Sequence, residues 1–147
     1  LKPFIDRLRS GEQNILWPSD ICWFAKSSGT TNDKSKFIPV SKESLHDTHY
    51  KGGQDAVTLY LKQNPESHFF SGKGLILGGS HSPNYNIRHS LVGDLSAILI
   101  QNVNPLVNLI RVPSKKIALM SDFESKIEAI ANTTLHTNIT SLSGVPS

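Results

Sequence analysis

Hydroxyl and lysine side chains crowd into one stretch of the chain, residues 24–39, which reads FAKSSGTTNDKSKFIP. Five serine or threonine residues, three lysines and Gly29 lie there between two apolar segments. Hydroxyls and backbone N–H groups donate hydrogen bonds to phosphate oxygens, glycine lets the backbone come close, and lysine offsets negative charge. The composition of this stretch therefore predicts a loop that holds a polyphosphate.

The stretch is not the phosphate loop of the nucleotide triphosphatases. That loop has the pattern G-x-x-x-x-G-K-[ST] and leads directly into a helix. Here no second glycine precedes Lys34, and Pro39 disfavours helix at Ile38 and cannot lie inside one. We therefore predict a strand, a loop and a second strand. A solvent-exposed turn without function is the alternative, and the residues alone leave it open.

Segments with strand and helix patterns alternate along the rest of the chain. Short apolar runs predict strands at 21–25, 37–40, 75–77 and 138–142, and helical spacing predicts helices over 4–8, 41–63, 91–99 and 121–131. Residues 105–112 are compatible with a helical turn or a strand. This alternation predicts an α/β fold with a mostly parallel sheet and flanking helices.

Single residues add local expectations. Cys22 lies in an apolar run, which predicts a buried, inert thiol. Asp94 follows Gly93 and is expected to cap a helix rather than to act as a base. Gly52–Gly53 lies inside a predicted helix, which indicates a close packing contact or a kink there. His81 follows a glycine-rich strand and is a candidate for lining a substrate pocket.

The composition excludes several classes of protein. The 147 residues are 37% hydrophobic and 18% charged, as in ordinary soluble domains. The net charge of +3 is small and the lysines are scattered, which argues against a nucleic-acid partner. No apolar stretch has the length of a membrane span. The single cysteine favours a reducing compartment, so we expect a cytoplasmic protein, and no cysteine or histidine pattern predicts a metal site.

The loop resembles that of the adenylate-forming enzymes and, more closely, that of the bacterial branch of the auxin-responsive (Gretchen Hagen) acyl-acid amido synthetases. The resemblance rests on FAKSSGTT at 24–31 and KSKFIPV at 34–40, and further on GKGLILGGSH at 72–81, GDLSA at 93–97 and GVPS at 144–147. Many relatives have a glycine where Asn32 or Asp33 stands. Both residue types tolerate left-handed backbone, so the turn can be kept.

The resemblance implies a function and its site. The residues expected to bind ATP are Ser27, Ser28, Gly29, Thr30, Thr31 and Lys36, with Lys36 as the motif lysine. Magnesium would bridge the phosphates, with contact from Thr30 or Thr31 left open. The substrates would be a small carboxylic acid and an amine, typically an amino acid, joined through an acyl-AMP. Transfer to coenzyme A and a stand-alone binding module without catalysis remain alternatives.

The resemblance also implies how the chain relates to a larger enzyme. Residues 1–147 would form part of the large N-terminal, ATP- and acyl-binding domain of an adenylate-forming enzyme, with the C-terminal domain absent. We therefore expect an N-terminal-region fragment that is inactive alone. No catalytic residue is identified within it.

Overall fold

Seven short strands in two sheets and five α-helices form the described part of the chain. This computed structural model describes residues 1–27, 36–83 and 91–144, and of residues 81–83 only the backbone. The strands are β1 Trp23–Lys26, β2 Phe37–Val40, β3 Lys73–Leu77, β4 His81–Pro83, β5 Leu91–Gly93, β6 Arg111–Val112 and β7 Ile139–Gly144. The α-helices are α1 Lys2–Arg9, α2 Lys51–Gln63, α3 Leu95–Asn102, α4 Lys115–Ala118 and α5 Phe123–Thr134. A π-helix, Ser44–Tyr50, continues into α2, and a 3₁₀-helix, Pro105–Leu109, precedes β6.

The first sheet has the strand order β2-β1-β5-β4. β1 pairs antiparallel with β2 and parallel with β5, and β4 runs antiparallel to β5. In the register of β1 and β2, Trp23 lies opposite Val40 and Lys26 lies opposite Phe37. The loop between β1 and β2 therefore leaves the sheet at the end where β1 finishes.

The second sheet is parallel throughout, with β3 between β6 and β7. Helices α4 and α5 lie between β6 and β7 in the chain, as a parallel crossover requires. The predicted α/β class is confirmed. Three of the five strand pairings in the described ranges are parallel, but they are divided between two sheets, a division that periodicity does not reveal.

β1 is buried on both faces, because successive side chains of a strand point in opposite directions. Phe24 is 0% exposed and packs with Leu8 and Ile21 on one face. Ala25 points to the other face, where a second cluster comprises Ala25, Val40, Leu45 and Ile98. Burying a leucine- or phenylalanine-sized side chain contributes about 1.5–3 kcal/mol, so the two clusters fix the strand that leads into the loop.

Several local predictions are wrong. Cys22 is exposed, since its neighbour Ile21, 1% exposed, is the residue of this apolar run that enters the core before β1. Leu91 belongs to strand β5 rather than to the following helix, since it pairs beside β1. The packing contact predicted at Gly52–Gly53 is missing, since a Cβ added at either glycine would meet nothing within 4 Å. The segment 105–112 contains both of its alternatives, a 3₁₀-helix followed by a strand.

Ser121 to Glu124 have the pattern of a capping box, and the spacing predicts that Phe123, Ile127, Ile130 and Ala131 line one face. The N-cap of helix α5 is instead one residue later, and of the predicted face Ile130 is buried while Phe123 and Ile127 are not. Its N-cap is Asp122, whose Oδ1 accepts a hydrogen bond of 2.9 Å from the Ser125 N–H. Phe123 and Ile127, expected to face the core, are 71% and 44% exposed, whereas Lys126 and Ile130 are buried. No helix of the described part is both long and apolar enough to cross a bilayer.

Candidate functional site

The two strands predicted on either side of the Ser/Thr/Lys stretch are confirmed. β1 and β2 pair antiparallel, and the chain leaves β2 at Val40 without entering a helix between Lys36 and Ser41. The predicted phosphate-binding residues Ser28, Gly29, Thr30 and Thr31 lie outside the described residues. Ser27 and Lys36, the other two, lie at the neck of the loop, where its two ends meet.

Two hydrogen bonds join Ser27 and Lys36 across the neck. The backbone N–H of Ser27 donates to the carbonyl oxygen of Lys36 at 3.0 Å. The backbone N–H of Lys36 donates to Ser27 Oγ at 3.1 Å. Because the Ser27 hydroxyl accepts this bond, its own O–H is left to donate elsewhere, for example to a phosphate oxygen.

Both ends of the loop carry a positive charge that faces solvent. Lys26 ends β1 and Lys36 precedes β2, and both side chains are exposed. Two ammonium groups flanking a loop of hydroxyls form a suitable entrance for a polyphosphate, since lysine acts on phosphate as a compact point charge.

The neck lies at the edge of the first sheet where its parallel strands finish. Ala25 of β1 is in register with Gly93, the last residue of β5, so Asp94 directly follows the strand that pairs with β1. Paired strands are about 4.8 Å apart, so Asp94 and Lys26 both lie at this edge of the sheet. Ligands of α/β sheets bind at this carboxyl edge.

A turn between the two sheets lies against Asp94. Residues 78–80, Gly-Gly-Ser, connect β3 of the second sheet to β4 of the first. The Gly79 N–H donates to Ser96 Oγ at 2.8 Å, and the Ser80 N–H donates to Asp94 Oδ2 at 3.1 Å. Asp94 holds the N-cap position of α3 as predicted, but its carboxylate accepts from Ser80 and makes no capping hydrogen bond to the helix.

Lys126 approaches the same turn from α5. Its Nζ donates to the carbonyl oxygen of Gly78 at 2.5 Å and lies 3.5 Å from that of Gly79. Burial lowers the pKa of Lys126, and the nearby carboxylate of Asp94 opposes that shift. Sequence reasoning missed this lysine. Its place four residues after the helix cap does not by itself indicate burial, because the apolar neighbours Phe123 and Ile127 are exposed.

A shallow groove of ≈ 390 Å³ lies at the other end of the hairpin. It is lined by Trp17, Pro18, Ser19, Ser41, Glu43, Ser44, Asp47 and Thr48. Hydrogen bonds from its own backbone N–H, from Ser41 and from Ser19 lower the pKa of Glu43, which keeps it ionised. Two carboxylates make this groove unsuitable for a triphosphate.

The other residues considered in the sequence, His81 and the potential metal ligands, form no site in the described part of the chain. His81 begins β4 and pairs with Gly93, so its backbone lies at the carboxyl edge, while its side chain is outside the described part. Within residues 1–27, 36–83 and 91–144, no group of three histidine, cysteine or acidic side chains could hold a metal ion.

Comparison with known families and proteins completes the assignment. The model of the GH3 family N-terminal domain matches residues 1–145. No curated protein and no solved structure matches the chain. The family match covers nearly the whole chain, including the hairpin, its loop and the Gly-Gly-Ser turn. The chain therefore belongs to the GH3 family, the auxin-responsive acyl-acid amido synthetases, whose members are acyl-adenylating ligases.

Proposed function

We propose that this chain is the phosphate-binding part of an ATP-dependent ligase that joins a carboxylic acid to an amine through an acyl-AMP. The observation that carries the proposal is the hairpin neck of Ser27 and Lys36 in a GH3 N-terminal domain. Its two bonds bring together the ends of a loop rich in hydroxyls, glycine and lysine, which is a suitable composition for binding a triphosphate.

In the proposed complex the loop surrounds the β- and γ-phosphates of ATP. Ser28, Gly29, Thr30 and Thr31 supply hydroxyl and backbone donors, Ser27 donates from the neck, and Lys36 supplies positive charge. Donors fixed in advance stabilise the charge that moves onto the pyrophosphate as it leaves, so the contribution of this loop is electrostatic.

The proposed reaction has two steps. A carboxylate oxygen of the acid attacks the α-phosphorus of ATP, and pyrophosphate leaves with the electrons of the broken P–O bond. An amine, typically of an amino acid, then attacks the acyl carbon, loses a proton, and releases AMP. Magnesium enters with the nucleotide, because this ion prefers phosphate oxygens and water to an all-protein cage. The hydroxyls of the loop are oxygen donors of the kind it accepts.

We further propose that residues 1–147 act as part of a larger ligase, as the ATP- and acyl-binding N-terminal portion, and form no product alone. The single cysteine supports a cytoplasmic location.

Acid-dependent exchange of radiolabelled pyrophosphate into ATP tests the first step in the full-length protein. We expect exchange with some members of a panel of small carboxylic acids and none without an acid. Addition of an amino acid to the preformed acyl-AMP should release AMP and give an amide. Release with coenzyme A instead would identify a thioester-forming ligase. Absence of exchange with every acid, together with retained ATP binding, would favour a binding module.

A further inference from the structure

Lys126 is a buried lysine that is hydrogen-bonded to a peptide carbonyl and forms no salt bridge within 4.0 Å in the described ranges, although the carboxylate of Asp94 is near enough to act on its charge. It is 7% exposed, and its ammonium group donates to the Gly78 carbonyl at 2.5 Å. In the described ranges the one salt bridge is between Arg7 and Glu12, far along the chain. Removing an ammonium group from water is costly unless it is hydrogen-bonded. An apolar side chain of the same size in its place often gives a fold that is equally stable.

The turn that Lys126 contacts is held from both sides. In the peptide between Gly78 and Gly79, the carbonyl accepts from Lys126 and the N–H donates to Ser96 Oγ. In the next peptide, the Gly79 carbonyl lies 3.5 Å from Lys126 Nζ and the Ser80 N–H donates to Asp94 Oδ2. Two successive peptide dipoles therefore point their negative ends at a cation and their positive ends at the start of α3.

The backbone of Gly79 is packed closely against Asp94. A Cβ added there would overlap the carboxylate of Asp94 and would lie 2.6 Å from Asp94 Cβ. A shift of the turn would therefore press on Asp94 or break its hydrogen bond with Ser80. Asp94 directly follows Gly93, which is in register with Ala25 of β1, so such a shift would act at the sheet edge where β1 ends.

We propose that Lys126 is a positioning residue for adenylate formation: it holds the Gly78–Ser80 turn, and through Asp94 it sets the carboxyl edge beside the phosphate loop. The inference rests on the proposed function. Lys126 does not contact the loop, so its loss should leave the grip on the triphosphate nearly intact. Loss of Lys126 should instead displace the carboxyl edge of the first sheet, where the acid and the α-phosphoryl group are proposed to meet. A displacement of about 1 Å can lower the reaction rate roughly 10²-fold.

The test compares two lysines of the same kind. Lys115 of α4 donates to the Gln101 carbonyl at 2.7 Å, near the opposite end of α3 from Asp94. Pyrophosphate exchange in the full-length protein should show kcat lowered about 10- to 100-fold in Lys126→Met. The KM for ATP should change by less than about threefold, since the contacts to the triphosphate remain. Lys115→Met should keep the wild-type kcat. Lys126→Arg, which can still donate to the carbonyls, should recover most of the loss.

Rates are expressed per folded molecule, with folding measured by circular dichroism and thermal melting. Ser96→Ala removes the hydroxyl that accepts the Gly79 N–H on the other side of the turn, and it should also lower kcat. This variant replaces Lys126→Met in the test if Lys126→Met does not fold. If Lys126→Met folds and keeps the wild-type kcat, the inference is overturned while the proposed function stands. If Lys126→Met does not fold, a wild-type kcat in Ser96→Ala has the same meaning. A loss that Lys115→Met matches would also overturn it. A wild-type protein without acid-dependent exchange would overturn the proposed function, and the inference with it.

Discussion

Ser27 Oγ accepts the backbone N–H of Lys36 at 3.1 Å, and the Ser27 N–H donates in return to the Lys36 carbonyl at 3.0 Å. This reciprocal pair continues the antiparallel ladder of β1 and β2 by one step beyond Lys26 and Phe37. The hydroxyl replaces a backbone acceptor at the point where the strands begin to separate. The two ends of the loop, Ser27 and Lys36, are thereby held together in the absence of a ligand.

Ser27→Ala should loosen the neck. The Lys36 N–H would lose its acceptor, and we expect a loss of about 0.5–1.5 kcal/mol in the free energy of unfolding, typical of one hydrogen bond. The KM for ATP should rise several-fold, because a looser loop pays ordering entropy on binding. Urea denaturation and steady-state exchange kinetics measure the two effects. Ser10→Ala is the control, since its hydroxyl donates to the Asp6 carbonyl in α1, and it should leave the KM unchanged.

Lys36→Gln should weaken ATP binding through charge alone. Hydrogen bonds to charged groups contribute roughly 1.5–3 kcal/mol, so we expect the KM for ATP to rise at least about tenfold. The effect should shrink as salt is added, since screening weakens exposed charges. The control is Lys51→Gln, which removes an equally exposed charge at the start of α2. An equal rise in both variants would show that net charge, rather than the position of Lys36, determines binding.

Glycine-to-alanine substitutions should have opposite effects at two sites. Gly79→Ala forces a methyl group into the carboxylate of Asp94 and should destabilise the fold by about 1–3 kcal/mol. Gly53→Ala lies in α2 with nothing within 4 Å of the added Cβ, and should stabilise by about 0.5–1 kcal/mol. Chemical denaturation of both variants measures the difference. Equal stabilities would contradict the described packing of the Gly78–Ser80 turn.

Asp122 should make the stability of α5 dependent on pH. Its side chain accepts the Ser125 N–H, and hydrogen bonds from Ser125 lower the pKa of Asp122 below its usual 3.8. A lowered pKa in the folded state means stability that is present above the unfolded pKa and is lost as pH falls through the folded value. Asp122→Ala should therefore be less stable than wild type at pH 7, and the difference should shrink as the pH falls below the range in which aspartate ordinarily titrates. Urea denaturation at several pH values measures this, with Asp55→Ala on the exposed side of α2 as the control. A difference independent of pH would contradict the capping role.

The sequence predicted elements well where the signal is local. Pro39 excludes a helix after the loop, and the apolar runs at 37–40 and 75–77 became β2 and β3. Prediction from the sequence failed where pairing with a residue distant in the chain determines the secondary structure. Leu91 has helical spacing to Leu95, yet pairing beside β1 makes it a strand residue.

The candidate site divides in the same way. Its residue types can be read from the sequence, because hydroxyls, glycine and lysine close together are typical of a phosphate loop. The supporting contacts cannot, because Lys126 is buried on carbonyls that lie 48 and 47 residues away in the chain. A lysine beside Phe123 and Ile127 gives no sign of this by itself.

The central claim is that the loop between β1 and β2 binds the triphosphate of ATP during adenylate formation. Acid-dependent pyrophosphate exchange by the Ser28→Ala/Thr31→Ala double variant of the full-length protein tests it most directly. We expect exchange to fall to background while the folded fraction stays that of wild type. An exchange rate equal to that of wild type would contradict it.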